Sequence, residues 1–447
     1  MLGESRLREI ADRVLRESAA DQTEVLVRQN ETNLTRFAAN AIHQNVTETN
    51  ASVRVRAIVG KQTGVASGND LSEAGLSRVV ALAEKAASFQ KEDPALPSLP
   101  GAGAYSQTSS YCDATAATSP EERADGVGKI LELSRANGLK AAGAHSTSAS
   151  ELLIANSLGV RAYHPETEAD LMTVAMGETG SGYAQEISSD ITSINPDRVA
   201  KTVVDKALRS ANPTTIEPGE YTVILEEMAV ADMIRILAYM GLGALAYQEK
   251  RSFMSGQLGE RITGENIRLW DNGLDPSGFP MPFDFEGVPK QEVLLIEDGV
   301  ARNVVYDTAT AAREPGRSST GHALPMPSDS GPMPTNLFVA PGTSSLEEMV
   351  ESTERGIYVT RFHYTNPLHP VKTVFTGMTR DGTFLIENGK VTRPLVNLRF
   401  TQSILEALSR ADLISKTTKA SRVYGFMSTC VPAMRIHGFR FTGATKL

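Results

Sequence analysis

The chain has 447 residues, a hydrophobic fraction of 41%, a charged fraction of 22% and a formal net charge of −9. This is the composition of an ordinary soluble globular protein, long enough to bury a core without covalent staples and to form roughly two or three domains of ~150 residues. The acidic balance argues against non-specific binding to nucleic acid or to an anionic membrane, and its two cysteines, Cys112 and Cys430, build neither a disulfide framework nor a paired-cysteine metal knuckle.

Residues 1–10 carry mixed charge and no apolar core, so no secretory signal is read there and a cytoplasmic location is expected. Leu7, Ile10, Ala11, Val14 and Leu15 share one face at helical spacing and predict an amphipathic first helix. Alternation at Val25 and Val27, and again at Val53 and Val55, predicts strands over residues 23–27 and 52–58. Residues 60–64 read as a hairpin loop leading to a short strand. Asp70 followed by Glu73 resembles a capping box opening a helix that runs to Ala87.

After a Pro/Gly-rich connector at residues 91–104 the same order recurs. Ser119-Pro120-Glu121-Glu122 opens a helix reaching about Ala136, with proline in its first turn. Strands follow at residues 141–147, 152–156 and 171–178, then a closing helix over 196–210 with Val199, Val203 and Ala207 on one side. The expected fold class is therefore α+β. Residues 1–212 form an N-terminal α/β domain of two similar helix–strands–helix halves, at about 1–90 and 119–211.

Asn212-Pro213 through Gly219 marks a boundary, and residues 213–447 should form a mainly antiparallel β domain. Strands are expected at 221–225, 292–296, 357–362, 372–377, 383–387 and 397–401. Asp381-Gly382 and Asn388-Gly389 would supply hairpin turns, with Arg380 paired to a carboxylate across the strands. Residues 273–288 and 316–342 are Gly/Pro/Ser-rich loops long enough for a binding or lid role. One helix is expected over residues 228–247, the only apolar run near membrane length. Asp232 and Arg235 interrupt it, each costing ~2.5–3.5 kcal/mol at a bilayer centre, so it reads as a buried helix of a soluble protein rather than a membrane span.

Several side chains invite a chemical reading. His363 and His369 lie in the stretch 361–370, but their spacing fits no common zinc pattern and no acidic residue lies between them. Ser318, Ser319 and His322 place hydroxyls near an imidazole, although neighbours in sequence do not by themselves make a dyad. Gly180-Ser181-Gly182 does not precede a helix, which disfavours a phosphate cradle. Arg313, Arg317 and Arg361 offer bidentate clamps for a substrate carboxylate, and surface arginines in loops are an equal reading.

Stretches spread along nearly the whole chain resemble the TldD/PmbA peptidase family, whose older label is modulator of DNA gyrase. They are residues 34–44 (LTRFAANAIHQ), 156–159 (NSLG), 255–260 (SGQLGE), 318–321 (SSTG), 377–389 (GMTRDGTFLIENG) and 394–403 (PLVNLRFTQS). The resemblance implies an α/β N-terminal domain and a β-rich C-terminal one. It also implies, in the TldD type, an H-E-x-x-x-H helix and a C-terminal Cys that hold a metal. Anchored at residues 255–260, the motif falls on Arg235 for the first His, Ile236 for the general-base Glu and Met240 for the second His. A guanidinium cannot coordinate zinc, an isoleucine cannot take a proton, and a lone thioether is a poor Zn²⁺ ligand. Cys430 stands too close to Pro432 to match the family's ligand Cys and reads as a buried thiol.

The resemblance thus implies the PmbA (TldE) type, with no metal and no cofactor of its own. Zinc is expected only in a partner, a TldD-like metallopeptidase subunit, with unfolded peptide as substrate and no membrane or direct nucleic-acid contact. Arg317, Ser319, His322, Arg361, His363 and His369 are the candidates for a substrate groove. The alternatives are a homodimer of this chain that binds peptides without cleaving them, and a peptidase with an unconventional metal site at His322, His363 and His369.

Overall fold

A computed structural model describes residues 1–444. Its N-terminal part runs α1 (Glu4–Glu17), β1 (Gln22–Ala38), β2 (Ala41–Val59), β3 (Gln62–Gly68), α2 (Glu73–Ser88), α3 (Asp113–Ala116), α4 (Pro120–Ala136), β4 (Lys140–Asn156), β5 (Arg161–Met176), β6 (Ser181–Ser188) and α5 (Pro196–Arg209). The strands form one antiparallel sheet in the order β3-β2-β1-β4-β5-β6, so the two helix–strands–helix repeats meet along β1 and β4.

The odd-numbered side chains of the central strands point to one face, as the period of two requires. There Val25, Val27, Val53, Val55 and Leu153 pack on Leu7, Ile10, Leu76 and Val79 of the first helices. Phe37, Leu171 and Ala175 pack on Ile130, Val199 and Val203 of the second pair. The Ser119 capping box forms as the sequence predicts, with Pro120 in the first turn. At α2 the cap is instead Ser72, whose hydroxyl accepts from Gly75 N, while Asp70 accepts from Ser72 N at 3.0 Å.

The strands are much longer than their apolar alternation suggests. β1 and β2 run 17 and 19 residues, joined by a two-residue turn at Ala39 and Asn40 with φ of 50° and 61°, the positive-φ pair such a hairpin favours. β4 merges the two segments expected at 141–147 and 152–156. β6, which the sequence reading lacks, forms the last strand of the sheet.

The C-terminal part continues with β7 (Gly219–Leu225), α6 (Glu227–Gly241), α7 (Ala244–Gln248), β8 (Leu269–Asp271), β9 (Val293–Glu297), β10 (Val300–Ala301), α8 (Thr308–Ala311), β11 (Asn336–Val339) and α9 (Leu346–Glu351). It ends with β12 (Arg355–His369), β13 (Val374–Glu387), β14 (Lys390–Pro394), β15 (Leu398–Ser403), α10 (Ile404–Ser409), β16 (Ala411–Val423) and β17 (Met427–Ala444). These strands make a mostly antiparallel 11-stranded sheet. Because β7 pairs with both β12 and β17, the strands β7, β12, β13, β15 and β17 close on themselves. Phe362, Phe375, Phe400, Phe439 and Phe441 pack together among these strands, fully or almost fully buried.

Three expectations for this half change. The helix over 228–247 is two helices, since the chain breaks at Leu242-Gly243, where a Cβ on Gly243 would come within 2.0 Å of Pro332 O. Asp381-Gly382 is not a hairpin turn: β13 is continuous, and the pair, at φ of 55° and 134°, is a kink opposite a register shift in β12. The loop at 273–288 is packed rather than lid-like, whereas Asp329, Ser330, Pro332 and Met333 of the loop at 316–342 line a cavity. Phe283 is fully buried in a cluster with Leu152, Ile154, Val160 and Ala162 of the N-terminal part, and Glu286 meets Arg56 of β2 at 3.2 Å.

Candidate functional site

The face of the N-terminal sheet opposite the helices is polar. Its rows are set by register: Asn50, Asn30, Ser150 and Glu166 lie side by side across β2, β1, β4 and β5, followed by Glu48, Thr32, Ser148 and Glu168, then Val46, Leu34, Ser146 and Asp170. The C-terminal part covers some of this floor. Arg422 of β16 donates to Glu166 at 2.8 Å and to Glu168 at 3.3 Å. Burial pushes the Asp170 carboxyl up to about 6, against a hydrogen bond from Gln185 that favours its charged form.

Between the two parts lies a cavity of about 630 Å³, within the size range of small-ligand sites. Tyr183, Ala184, Gln185, Glu186 and Ile187 all line it. Both pleat phases of β6 therefore border the space, which means the strand presents its edge. The opposite wall is Thr417, Thr418, Lys419 and Ala420 of β16, a stretch that pairs with β17 on one side and follows the bridge from Ser415 to Ser344 on the other. Two strand edges without ladder partners thus frame one cavity, and its end is closed by Glu226, Glu227 and Met228 at the start of α6.

From there the opening follows α6. Beyond Glu227 the helix leaves only Met228, Asp232, Ile236 and Tyr239 incompletely buried, the i, i+4, i+8, i+11 stripe of a single helix face. Tyr239 is 59% exposed and, with Met240, Arg251, Met333 and Pro370, lines a second cavity of about 230 Å³. The two cavities thus border opposite ends of α6, the helix on which the H-E-x-x-x-H motif is expected to fall.

Those positions do not fit a zinc ion. Arg235 is buried and ion-paired to Asp232 at 2.5 Å, and it donates to Ser421 Oγ at 2.9 Å and Thr429 Oγ1 at 3.2 Å. Ile236 lies on the groove stripe and Met240 is buried. Among the described residues no three His, Cys, Asp or Glu side chains come together as a metal site. Cys430 is buried, with Sγ 3.3 Å from Thr418 Oγ1, and burial raises its thiol.

The groove candidates separate into different places. Arg361 and His363 lie near the groove on β12. Arg361 pairs with Asp381, donating from Nε at 2.8 Å, and stacks over Tyr183 at 4.2 Å; Ser181 Oγ donates to the same carboxylate at 2.6 Å. Arg380, expected to pair with a carboxylate across the strands, instead lies 3.9 Å from its own neighbour Asp381, whose carboxylate Arg361 holds. Burial, then Arg380 and Arg361, lower the His363 pKa, which Asp381 and Asp232 pull back. His369 is exposed at the end of β12, accepting from Lys372 N.

His322 is withdrawn from the groove: it is 1% exposed, its Nε2 lies 2.8 Å from Asp271 Oδ1 and its Nδ1 2.9 Å from Thr320 Oγ1. The orienting aspartate that its own motif lacks comes from β8. Arg317 sits over Tyr306 at 5.5 Å, and Ser319 donates to Tyr306 O; both belong to the wall around Tyr306. Sequence reasoning missed Lys419, Glu226, Glu227 and the edge of β6, whose only signal was strand alternation too short to stand out.

Three family models cover most of the chain: PmbA/TldA metallopeptidase domain 1 at residues 23–87, the central domain at 114–211 and the C-terminal domain at 218–443. The chain belongs to the PmbA/TldD metallopeptidase family. It is 27% identical over 282 residues to an uncharacterized protein of Methanocaldococcus jannaschii, covering 62% of this chain and 64% of the other. It is 26% identical over 250 residues to a metalloprotease TldD homolog of Haemophilus influenzae, covering 54% and 50%. The matched stretch thus spans half to somewhat under two thirds of these curated relatives. The fold is that of TldE from Thermococcus kodakarensis, with a TM-score of 0.89 and 21% identity over 98% of this chain and 100% of the other. No described helix is long and apolar enough to cross a membrane.

Proposed function

We propose that this PmbA/TldD-family chain is the metal-free accessory subunit of a peptidase, pairing with a TldD-like zinc subunit to process unfolded peptides. The observation that carries the reading is the double character of α6. Its incompletely buried stripe leads from Met228 at the larger cavity to Tyr239 at the smaller one, while the position expected for the first His of the zinc motif holds Arg235, tied to Asp232, Ser421 and Thr429. A chain that keeps the groove and loses the donors is suited to holding peptide but not to activating water, which a zinc partner would supply. The unpaired edges of β6 and β16 suit an extended chain, because strand addition binds through the main chain and tolerates many side chains.

The test is metal content and peptide hydrolysis of the purified chain, alone and with a family member carrying an intact H-E-x-x-x-H. The expected result is no stoichiometric zinc and no cleavage alone, with cleavage when the partner is added. Zinc and hydrolysis by the lone chain would overturn the reading.

A further inference from the structure

The walls of the larger cavity hold three cations, and two are already neutralised. Arg198 pairs with Glu186 at 2.5 Å and Lys206 with Glu226 at 2.6 Å. The side chain of the third, Lys419, makes no hydrogen bond and no ion pair among the described residues, and it lines the cavity half-buried. Burial lowers the pKa of its ammonium and Lys206 adds to the effect, while Glu226, Glu227 and Glu186 act the other way from the facing elements. A half-buried ammonium that no carboxylate contacts is free to bind an anion entering the cavity through a charge-assisted hydrogen bond. The side chain sits on β16, one of the two free strand edges, so an extended ligand paired there would pass beside it.

Resting on the peptide-groove reading, we propose that Lys419 is an anion subsite that takes a carboxylate of the bound extended peptide, from either its C-terminus or an acidic side chain. Lys419 then fixes where along β16 the peptide comes to rest. The strand edges supply sequence-independent affinity, and the ammonium supplies register. Lys206 and Arg198 cannot take this role without giving up Glu226 and Glu186.

The experiment uses the full chain alone, without a catalytic partner. An unlabelled, N-acetylated unstructured hexapeptide of neutral residues is titrated by calorimetry as its free acid, as its C-terminal amide, and as an amide with one internal Glu. The free acid should bind about tenfold or more tightly than the neutral amide, the range of one charge-assisted hydrogen bond. Lys419→Met should erase that difference and Lys419→Arg keep it. Lys419→Met breaks no hydrogen bond, although it removes a cation that favours the charged form of Glu227, and its fold is checked by circular dichroism. Recovery of tight binding by the internal-Glu amide assigns the anion to a side chain; no recovery assigns it to the terminus.

Equal binding of acid and neutral amide, a preference that survives Lys419→Met, or no binding of any peptide would overturn the proposal. Failure of the accessory-subunit reading appears separately, as absent cleavage with the partner, and leaves these binding ratios untouched.

Discussion

Arg422 of β16 and Glu166 of β5 meet at 2.8 Å, although 256 positions apart in the chain, and tie the C-terminal sheet to the polar floor of the N-terminal one. Glu168 takes the other arm of the same guanidinium at 3.3 Å. Burial works against the Glu166 carboxylate, yet Arg422 holds its pKa below the ordinary range.

Removing Arg422 should therefore be costly. Arg422→Met strands Glu166 beside Glu168 in a largely desolvated place, a loss of about 3–5 kcal/mol for a broken buried pair. Chemical denaturation followed by circular dichroism checks this. A change below about 1 kcal/mol would mean that water already screens the site.

The buried cluster around Asp271 predicts loss of stability on acidification. Burial alone would raise the Asp271 carboxyl, but Lys290 and His322 overcome it and hold it below the ordinary range. Burial, with Lys290, also depresses His322 against the pull of Asp271. Both groups take a proton more readily when unfolded, so stability should fall as pH drops below about 6.5, the ordinary histidine value, and again below about 4. His322→Gln should flatten the upper part of that fall in a series of denaturation midpoints against pH.

Glu24 should act with the opposite sign. Burial raises it to about 7 despite Arg56, and its Oε2 has no hydrogen-bond partner. The folded state keeps this proton while the unfolded state loses it, so the contribution falls as pH rises from about 4.5 to about 7 and is flat above. Glu24→Gln should remove that slope and raise stability at pH 8 by at most about 3 kcal/mol. An unchanged profile would show that Glu24 is ionised in the folded protein.

Arg235 should behave as a structural residue. Arg235→Ala removes its hydrogen bonds to Ser421, Thr429 and Asp232 and should cost about 1–3 kcal/mol. Arg235→Lys should recover only part, because an ammonium lacks the planar fork that reaches these partners together. Thermal unfolding of both variants measures it. No loss in either would remove the argument that this position was converted to a tie.

The linear order of residues determined the repeated helix–strands–helix plan, the Ser119 cap and the β-rich second half, because these rest on local spacing and on caps within a single turn. It also determined that Arg235, Ile236 and Met240 offer no zinc donor, since ligand chemistry belongs to residue type. It could not show the full length of β1 and β2, whose middles are polar on both faces and are held as strands by ladders to β4 and to each other. Nor could it show that Asp381 answers Arg361, that His322 is buried against Asp271, or that β6 and β16 leave their edges on one cavity. The first two depend on strand pairing and loop packing inside the C-terminal part, and the last on the closure of the two sheets against each other.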